Sequence, residues 1–548
     1  MKRTLTFIST LLASFAALHA ADKPKPEYPM PPLVKPSGPI SIDVGRQLFV
    51  DDWLIAETTL TRTFHQAKVL DAPVLKAETE LETQRGTAEG AVLFDGGVWF
   101  DPQDRLFKMW YAAGFRDGIA YATSKDGLHW ERPQLDVSPG ENRVLPYQKG
   151  WELSGFSVAL DQFANDPAQR FKMLAYHRYH NRFPGDKGEE NPPAKMYVSA
   201  DGVHWGEPQF VKCFTGDNVS MFYDPFRTQW VFSTRNRAPS VLRPGAMGSN
   251  GKPVTVRARF RFDGPDFIET GLTANGAKLW LKPDERDKAD PEFNIDPELY
   301  KFGAVAYESI MLGAVGMFYG PQNDVAKELK RPKTIDIQLA YSRDGVNFPR
   351  PSRDAFIACA RKPGTWNRGY LHSANGVCCI VGDELWFYFG TWSGQSQREN
   401  AEYVMAGGSV GLAKLRRDGF ASMDADAKGG ALTTAPVTFS GKFPFVNLAA
   451  KDGELRAEIL DADGKVIAPF SKENCTPIKA DATKQRLAWK GADDFSALIG
   501  KPVHFRFHLT NAQLYAFWVS KSPDGASGGY VAAGGPGFSG PIDAPAHP

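Results

Sequence analysis

The chain is poor in cysteine, in net charge and in long apolar runs, and each shortage excludes something. Its 548 residues hold five cysteines, Cys213, Cys359, Cys378, Cys379 and Cys475, an odd number that cannot all pair within one chain. Cys378 and Cys379 sit side by side in the apolar run Val377 to Val381 and read as small buried side chains. No Cys/His spacing suits a zinc site and no loop has calcium-ligand spacing, so no cofactor is expected. The 64 Lys+Arg against 63 Asp+Glu leave +1, which provides no basic field for nucleic acid or an anionic membrane. Beyond the first twenty residues no stretch approaches the ~18 apolar residues of a spanning helix.

What is abundant points to strands and turns. Aromatics make up 12% of the chain, with 52 Gly and 40 Pro, a composition that favours an all-β fold. Length alone suggests roughly three to four domains. Lys2-Arg3, the apolar run Leu5 to Leu18 and His19-Ala20-Ala21 read as a secretory signal over residues 1–20, which implies a secreted or periplasmic chain. Residues 21–40 follow as a Pro-rich linker.

A heptapeptide recurs: Ser124-Lys-Asp-Gly-Leu-His-Trp130, Ser199-Ala-Asp-Gly-Val-His-Trp205 and Ser342-Arg-Asp-Gly-Val-Asn-Phe348. The gaps of 75 and 143 residues predict a weaker copy between, and Arg261-Phe-Asp-Gly-Pro-Asp-Phe267 supplies it. A fifth copy, Arg416-Arg-Asp-Gly419, extends the series to four intervals of 73 residues. In phase with it run Asp101-Pro102, Asp166-Pro167 and Asp224-Pro225, each flanked by strand-like runs. The unit reads as strand, Asp-Pro turn, strand, connection, strand, Asp-Gly turn, strand. This predicts a five-bladed β-propeller over 41–429. Period-2 runs such as Leu455/Ala457/Ile459 and Phe505/Phe507/Leu509 predict a β-sandwich over 430–521. Residues 522–548, with 7 Gly and 5 Pro in 27 positions, are expected to be a flexible tail.

Strand direction then selects a face. Asp-Pro and Asp-Gly turns share one face of the disc, so first-strand starts and second-strand ends lie on the other, over the channel. The Asp-Gly turns themselves read as structure. First-strand starts offer Glu89, Asp217-Asn218 and His372, with Ser154 and Ser157 in the second unit. Second-strand ends add Arg116-Asp117, His177-Arg178, Arg235 and Trp392. Glu308 faces the channel if Ile310 to Phe318 contains the first strand of unit four, and the opposite turn if that run is the second strand. Converging carboxylates are what acid/base work on a glycoside needs. Glu89, Asp217 and Glu308 are therefore the catalytic candidates, with Arg116, Arg178, Arg235, Asn218 and His372 binding substrate and Trp392 stacking on a sugar.

On five units, Ser-x-Asp-Gly-x-x-Trp turns and a C-terminal sandwich, the chain resembles the five-bladed glycoside hydrolases of families 32 and 43. The resemblance implies an exported glycosidase with carboxylates on innermost strands, acting on an oligo- or polysaccharide. The Trp-Met-Asn-Asp-Pro-Asn-Gly signature of family 32 is absent, so candidate residues rest on strand position. The Asp-Gly turns are also similar to the Asp boxes of sialidases, and rim arginines suit an anionic sugar. A non-catalytic carbohydrate-binding propeller and an envelope interaction protein are the alternatives.

Overall fold

The computed structural model describes residues 28–145, 151–179, 194–247, 251–398 and 403–545. The proposed signal at 1–20 lies outside them. The described chain is nearly all β, its helices being short segments such as Glu80–Gln84, Phe267–Thr273 and Asn323–Glu328. No described helix is long and apolar enough to cross a membrane.

Five antiparallel sheets follow one another along the chain. Sheet one holds Ala91–Asp101, Leu106–Ala113 and Gly118–Ser124, and sheet two Trp151–Leu160, Phe171–Tyr179, Lys195–Ser199 and Gln209–Phe210. Sheet three holds Ser220–Asp224, Gln229–Pro239, Thr255–Gly264 and Lys278–Leu281. Sheet four holds Glu298–Glu308, Ile310–Gly320 and Thr334–Ser342. In sheet five Gly369–Ser373 and Cys379–Val381 pair with Glu384–Trp392, which pairs with Gly408–Arg416. The N-terminal strands Lys68–Val69 and Leu75–Lys76 complete sheet five. First strands pack against both neighbours, so Ala91–Asp101 is buried throughout, its two aspartates included.

The recurring heptapeptide has a mechanical role. In the first copy Ser124 Oγ accepts from Gly127 N at 2.8 Å, and Asp126 Oδ1 accepts from the amides of Leu128 and His129, both at 2.9 Å. The same bonds recur at Ser199/Asp201 and Ser342/Asp344. Gly127, Gly202 and Gly345 have φ of 74°, 83° and 71°, where a side chain would be strained. Each turn then docks on the preceding sheet. Tyr388 of sheet five donates to Gly127 O at 2.8 Å, Trp110 of sheet one to Gly202 O at 2.7 Å, and Trp280 of sheet three to Val346 O at 2.7 Å. Tyr307 of sheet four donates to Asp418 Oδ1 at 2.5 Å. In the fourth copy the helix Phe267–Thr273, capped by Asp266, sets Gly271 against Met196 of sheet two.

Two further sheets share a second core. One runs Asp481–Arg486, Phe443–Ala449, Ala512–Ser520, Ala421–Ala425, Thr61–Phe64, and the other Glu454–Leu460, His504–Thr510, Gly430–Thr434, Ile55–Thr58. Phe505 and Phe517 meet across them at 5.2 Å. The expected boundaries at 41–429 and 430–521 therefore shift. Strands within 40–64 and 421–425 belong to this second unit, and their two to five residues are too short to show a period.

The expected flexible tail is also corrected. Tyr530–Val531 pairs with Tyr307 and Glu308, Ala533 N donates to Cys378 O at 3.0 Å, and Ile380 N donates to Gly534 O at 2.9 Å. A Cβ on Gly535 would lie 1.7 Å from Ile380 O, so glycine permits the close approach. The tail packs against sheets one, four and five, and its composition reflects tight quarters.

At the Asp224-Pro225 turn the carboxyl is buried beneath Gly345, with Oδ2 unpartnered, and burial pushes its pKa up from 3.8 to about 6. A raised carboxyl favours the fold at low pH and loses that contribution as pH rises through about 6. Relative to wild type, Asp224→Asn is expected to be more stable at pH 7.5 by about 2–3 kcal/mol and equal at pH 4, by urea denaturation. A difference independent of pH would contradict this.

Candidate active site

Side chains from four sheets meet at one buried point, and a carbonyl from the fifth joins them. Asp95 of sheet one, fully buried, pairs with Lys301 Nζ of sheet four at 2.7 Å and with His372 Nδ1 of sheet five at 2.8 Å. Asn375 Nδ2 donates to Ser157 Oγ of sheet two at 2.6 Å and to Met221 O of sheet three at 3.0 Å. Burial would raise the Asp95 pKa, but Lys301 and His372 hold it far below the usual carboxylate range. Burial lowers that of His372, so the neutral ring donates through Nδ1 and leaves Nε2 as an unpartnered acceptor.

On the side where first strands begin lies a row of carboxylates, one from each of four sheets. Glu89 precedes Ala91–Asp101, Glu152 is second in Trp151–Leu160, Asp217 precedes Ser220–Asp224, and Glu298 opens Glu298–Glu308. Arg116, just past the second strand of sheet one, holds Glu152 at 3.0 Å, and Arg235 from the second strand of sheet three holds Asp217. Arg257 and Arg237 hold Glu298, the latter at 3.8 Å. Glu89 differs, since Oε2 accepts from the Ser396 hydroxyl at 2.7 Å. Glu89 also lines an open groove of about 580 Å³ with Lys330, Ser393, Gln395, Ser396, Gln397 and Tyr403, side chains rich in hydroxyls and amides.

Beneath the row, Tyr300 is ringed by cations. The Arg235 and Arg257 guanidinium carbons lie 4.9 and 5.2 Å from its ring, and Lys333 Nζ lies 5.3 Å from it. Tyr300 Oη meets Tyr370 Oη at 3.0 Å. Burial would raise the Tyr300 phenol, but Lys333, Arg235 and Arg257 outweigh it and hold it well below the usual range.

Glu89, Asp217, Arg116 and Arg235 thus lie on one side of the sheets. Asn218 lies there too but is buried, its carbonyl accepting from Arg259 at 3.0 Å. Arg178 belongs to Phe171–Tyr179, and its side chain lies outside the described part. His372 is buried in the floor, 1% exposed, bound to Asp95. Trp392, expected to stack on a sugar, is fully buried among Phe94, Phe115, Tyr370 and His372, because the second strand ends inside the aromatic floor.

Glu308 is the clearest correction. Ile310–Gly320 is the second strand, joined to Glu298–Glu308 by a two-residue hairpin with Tyr307 opposite Ile310. Glu308 therefore sits at the opposite end from Glu298. There it is fully buried, accepting from Arg417 at 3.0 Å, Arg46 N at 3.1 Å and Ser527 Oγ at 2.6 Å. Sequence reasoning missed Glu298, Glu152, Tyr300, Lys333 and the Asp95 pairing. Asp296-Pro297 before Glu298, and two runs of equal length around Glu308-Ser309, were the available signals.

No family model matches the chain, and no curated protein matches it. Among solved structures it is similar to an N-acetylgalactosamine deacetylase from F. plautii in complex with blood group B trisaccharide, at 14% identity and TM-score 0.41, covering 65% of this chain and 96% of that one. It is similar also to an exo-β-1,3-galactanase from Phanerochaete chrysosporium with galactose, at 10% identity and TM-score 0.36, covering 81% and 99%. A family 43 arabinoxylan arabinofuranohydrolase from Bacillus subtilis, in complex with cellotetraose, overlaps at 11% identity and TM-score 0.33, covering 82% and 99%. Overlap at this level leaves the chemistry to be read from the residues.

Glu308→Ala is expected to destabilise the fold by about 3–5 kcal/mol, since it leaves the buried Arg46 and Arg417 charges short of a partner. Guanidinium denaturation checks this, and a loss under about 1 kcal/mol would contradict it.

Proposed function

We propose that the chain is an exported glycoside hydrolase acting on an oligo- or polysaccharide. The observation that carries the reading is the row of carboxylates at first-strand starts, one member of which, Glu89, borders an open groove of hydroxyls and amides. In this reading the five sheets are blades of one propeller, closed by Lys68–Val69 and Leu75–Lys76 in the fifth, and the two-sheet unit is the sandwich. Turn-to-sheet contacts that return from the first copy to sheet five support it. Export rests on the Lys2-Arg3 and Leu5 to Leu18 pattern.

Glycoside cleavage needs one carboxyl that carries a proton and one that stays ionised. Glu89, whose partner is a neutral hydroxyl, protonates the leaving oxygen. Asp217, held by Arg235, is the ionised group that stabilises the oxocarbenium-like transition state or attacks it. Glu298 replaces Glu308 in the catalytic set, and Arg116 and Glu152 position substrate.

A second reading, a non-catalytic carbohydrate-binding propeller, is favoured by one observation. Three of the four carboxylates are clamped by arginines, an arrangement suited to fixed recognition. Screening plant and algal polysaccharides with reducing-end detection separates the two. The glycosidase reading expects a product whose rate falls about 10²-fold or more in Glu89→Gln and in Asp217→Asn. Unchanged rates in both variants would overturn the site. Glycan binding without product from any substrate would favour the second reading.

A further inference from the structure

The floor of this site carries more positive charge than its own carboxylates balance. Five buried or largely buried cations, Arg235, Arg257, Arg259, Lys301 and Lys333, surround Tyr300 and the axis, against Asp95, Asp217 and Glu298. Each carboxylate has a cation of its own, Arg235 for Asp217, Arg257 for Glu298 and Lys301 for Asp95.

That leaves two. Lys333 is 3% exposed, its amine meets Tyr300 Oη at 3.4 Å, and it packs over the Tyr300 and Tyr370 rings at 5.3 and 5.0 Å. Among the described residues it has no carboxylate partner. Arg259 is fully buried and donates to neutral oxygens alone: Ser233 Oγ at 3.0 Å, Ser233 O at 2.6 Å, Asn218 O at 3.0 Å and Tyr300 O at 3.1 Å. Hydrogen bonds, aromatic faces and the Tyr300 hydroxyl solvate and partly offset these charges, and a low-dielectric wall focuses the remaining field towards the open side. Asp217 and Arg235, with side chains 12% and 16% exposed, mark where solvent reaches it.

We propose that this site selects a sugar bearing a fixed negative charge, a uronate carboxylate or a sulfate ester, and that Lys333 sets the preference. The proposal rests on the glycan reading of the site but not on turnover. The anion lies against the Arg235 and Arg257 guanidinium groups, whose planar forks suit carboxylate and sulfate oxygens alike. Lys333, behind Tyr300, acts through the field and touches no substrate, so it is a positioning residue. Arg259 supplies a constant background, being fixed by four backbone and hydroxyl contacts.

Isothermal titration calorimetry on the full chain, with D-glucuronate, D-galactose 6-sulfate and neutral D-galactose, tests this. At least one anionic sugar is expected to bind about tenfold or more tightly than galactose, with an advantage that shrinks as salt rises. Preference for glucuronate alone identifies the carboxylate, and preference for the sulfated sugar alone identifies the ester. Lys333→Arg should keep the preference, and Lys333→Met should reduce it to about twofold or less. Galactose binding as tightly as both anionic sugars, no binding by any of the three, or a preference intact in Lys333→Met would overturn the proposal. Should Lys333→Met not fold, Lys333→Gln carries the same comparison and the wild-type ranking still decides the charge preference. A neutral polysaccharide cleaved by wild type and not by Asp217→Asn, with no anion preference, would sink this proposal and leave the glycosidase reading standing.

Discussion

The pairing of Asp95 with Lys301 and His372 is the contact on which the meeting of sheets one, four and five depends. It joins sheets one, four and five through a carboxylate with no exposure to water, and Asp95 adopts a left-handed φ of 68° where the register of its strand shifts. A buried carboxylate is tolerable only with partners in good geometry. Here Lys301 and His372 both meet Oδ1, and Asn375 ties sheet five to sheets two and three. First-strand starts are thereby held above a polar knot that cannot shear without unpairing a buried charge.

A second knot closes the far end. Arg46, Glu308, Arg417 and Asp418 are buried together, with Asn447 donating to Asp418 at 2.8 Å and Trp518 stacked under Arg46 at 4.2 Å. Ser527 and Asp543 bring in the C-terminal segment. Sheet four, the last Asp-Gly turn, the second unit, Arg46 and the C-terminal segment thus meet at one place. Tail residues 530–535 bond to Phe100, Ala306 and Ile380, so sheets one, four and five are covered from that side.

The repeat was legible because its function is local. Ser, Asp and Gly at fixed offsets make one turn, wherever in the sequence the aromatic that receives it lies. The Asp-Pro turns and the period-2 strands of the second unit were legible for the same reason. Glu89, Asp217, Arg116 and Arg235 followed from strand direction alone. Glu308 was misplaced because a two-residue hairpin replaced the Asp-Pro turn, and inner strands buried on both faces show no alternation to set the register. The role of the tail, the N-terminal strands and the Asp95 pairing depends on contacts across hundreds of residues, for which local pattern carries no signal.

The central claim is that first-strand starts form the face where a glycan binds. The most direct measurement is a crystal structure of Asp217→Asn soaked with an oligosaccharide carrying uronate or sulfate groups. The account predicts sugar density running from the groove at Glu89 towards Arg235 and Arg257. Density confined to the Asp-Gly turn side, or to the two-sheet unit, would contradict it.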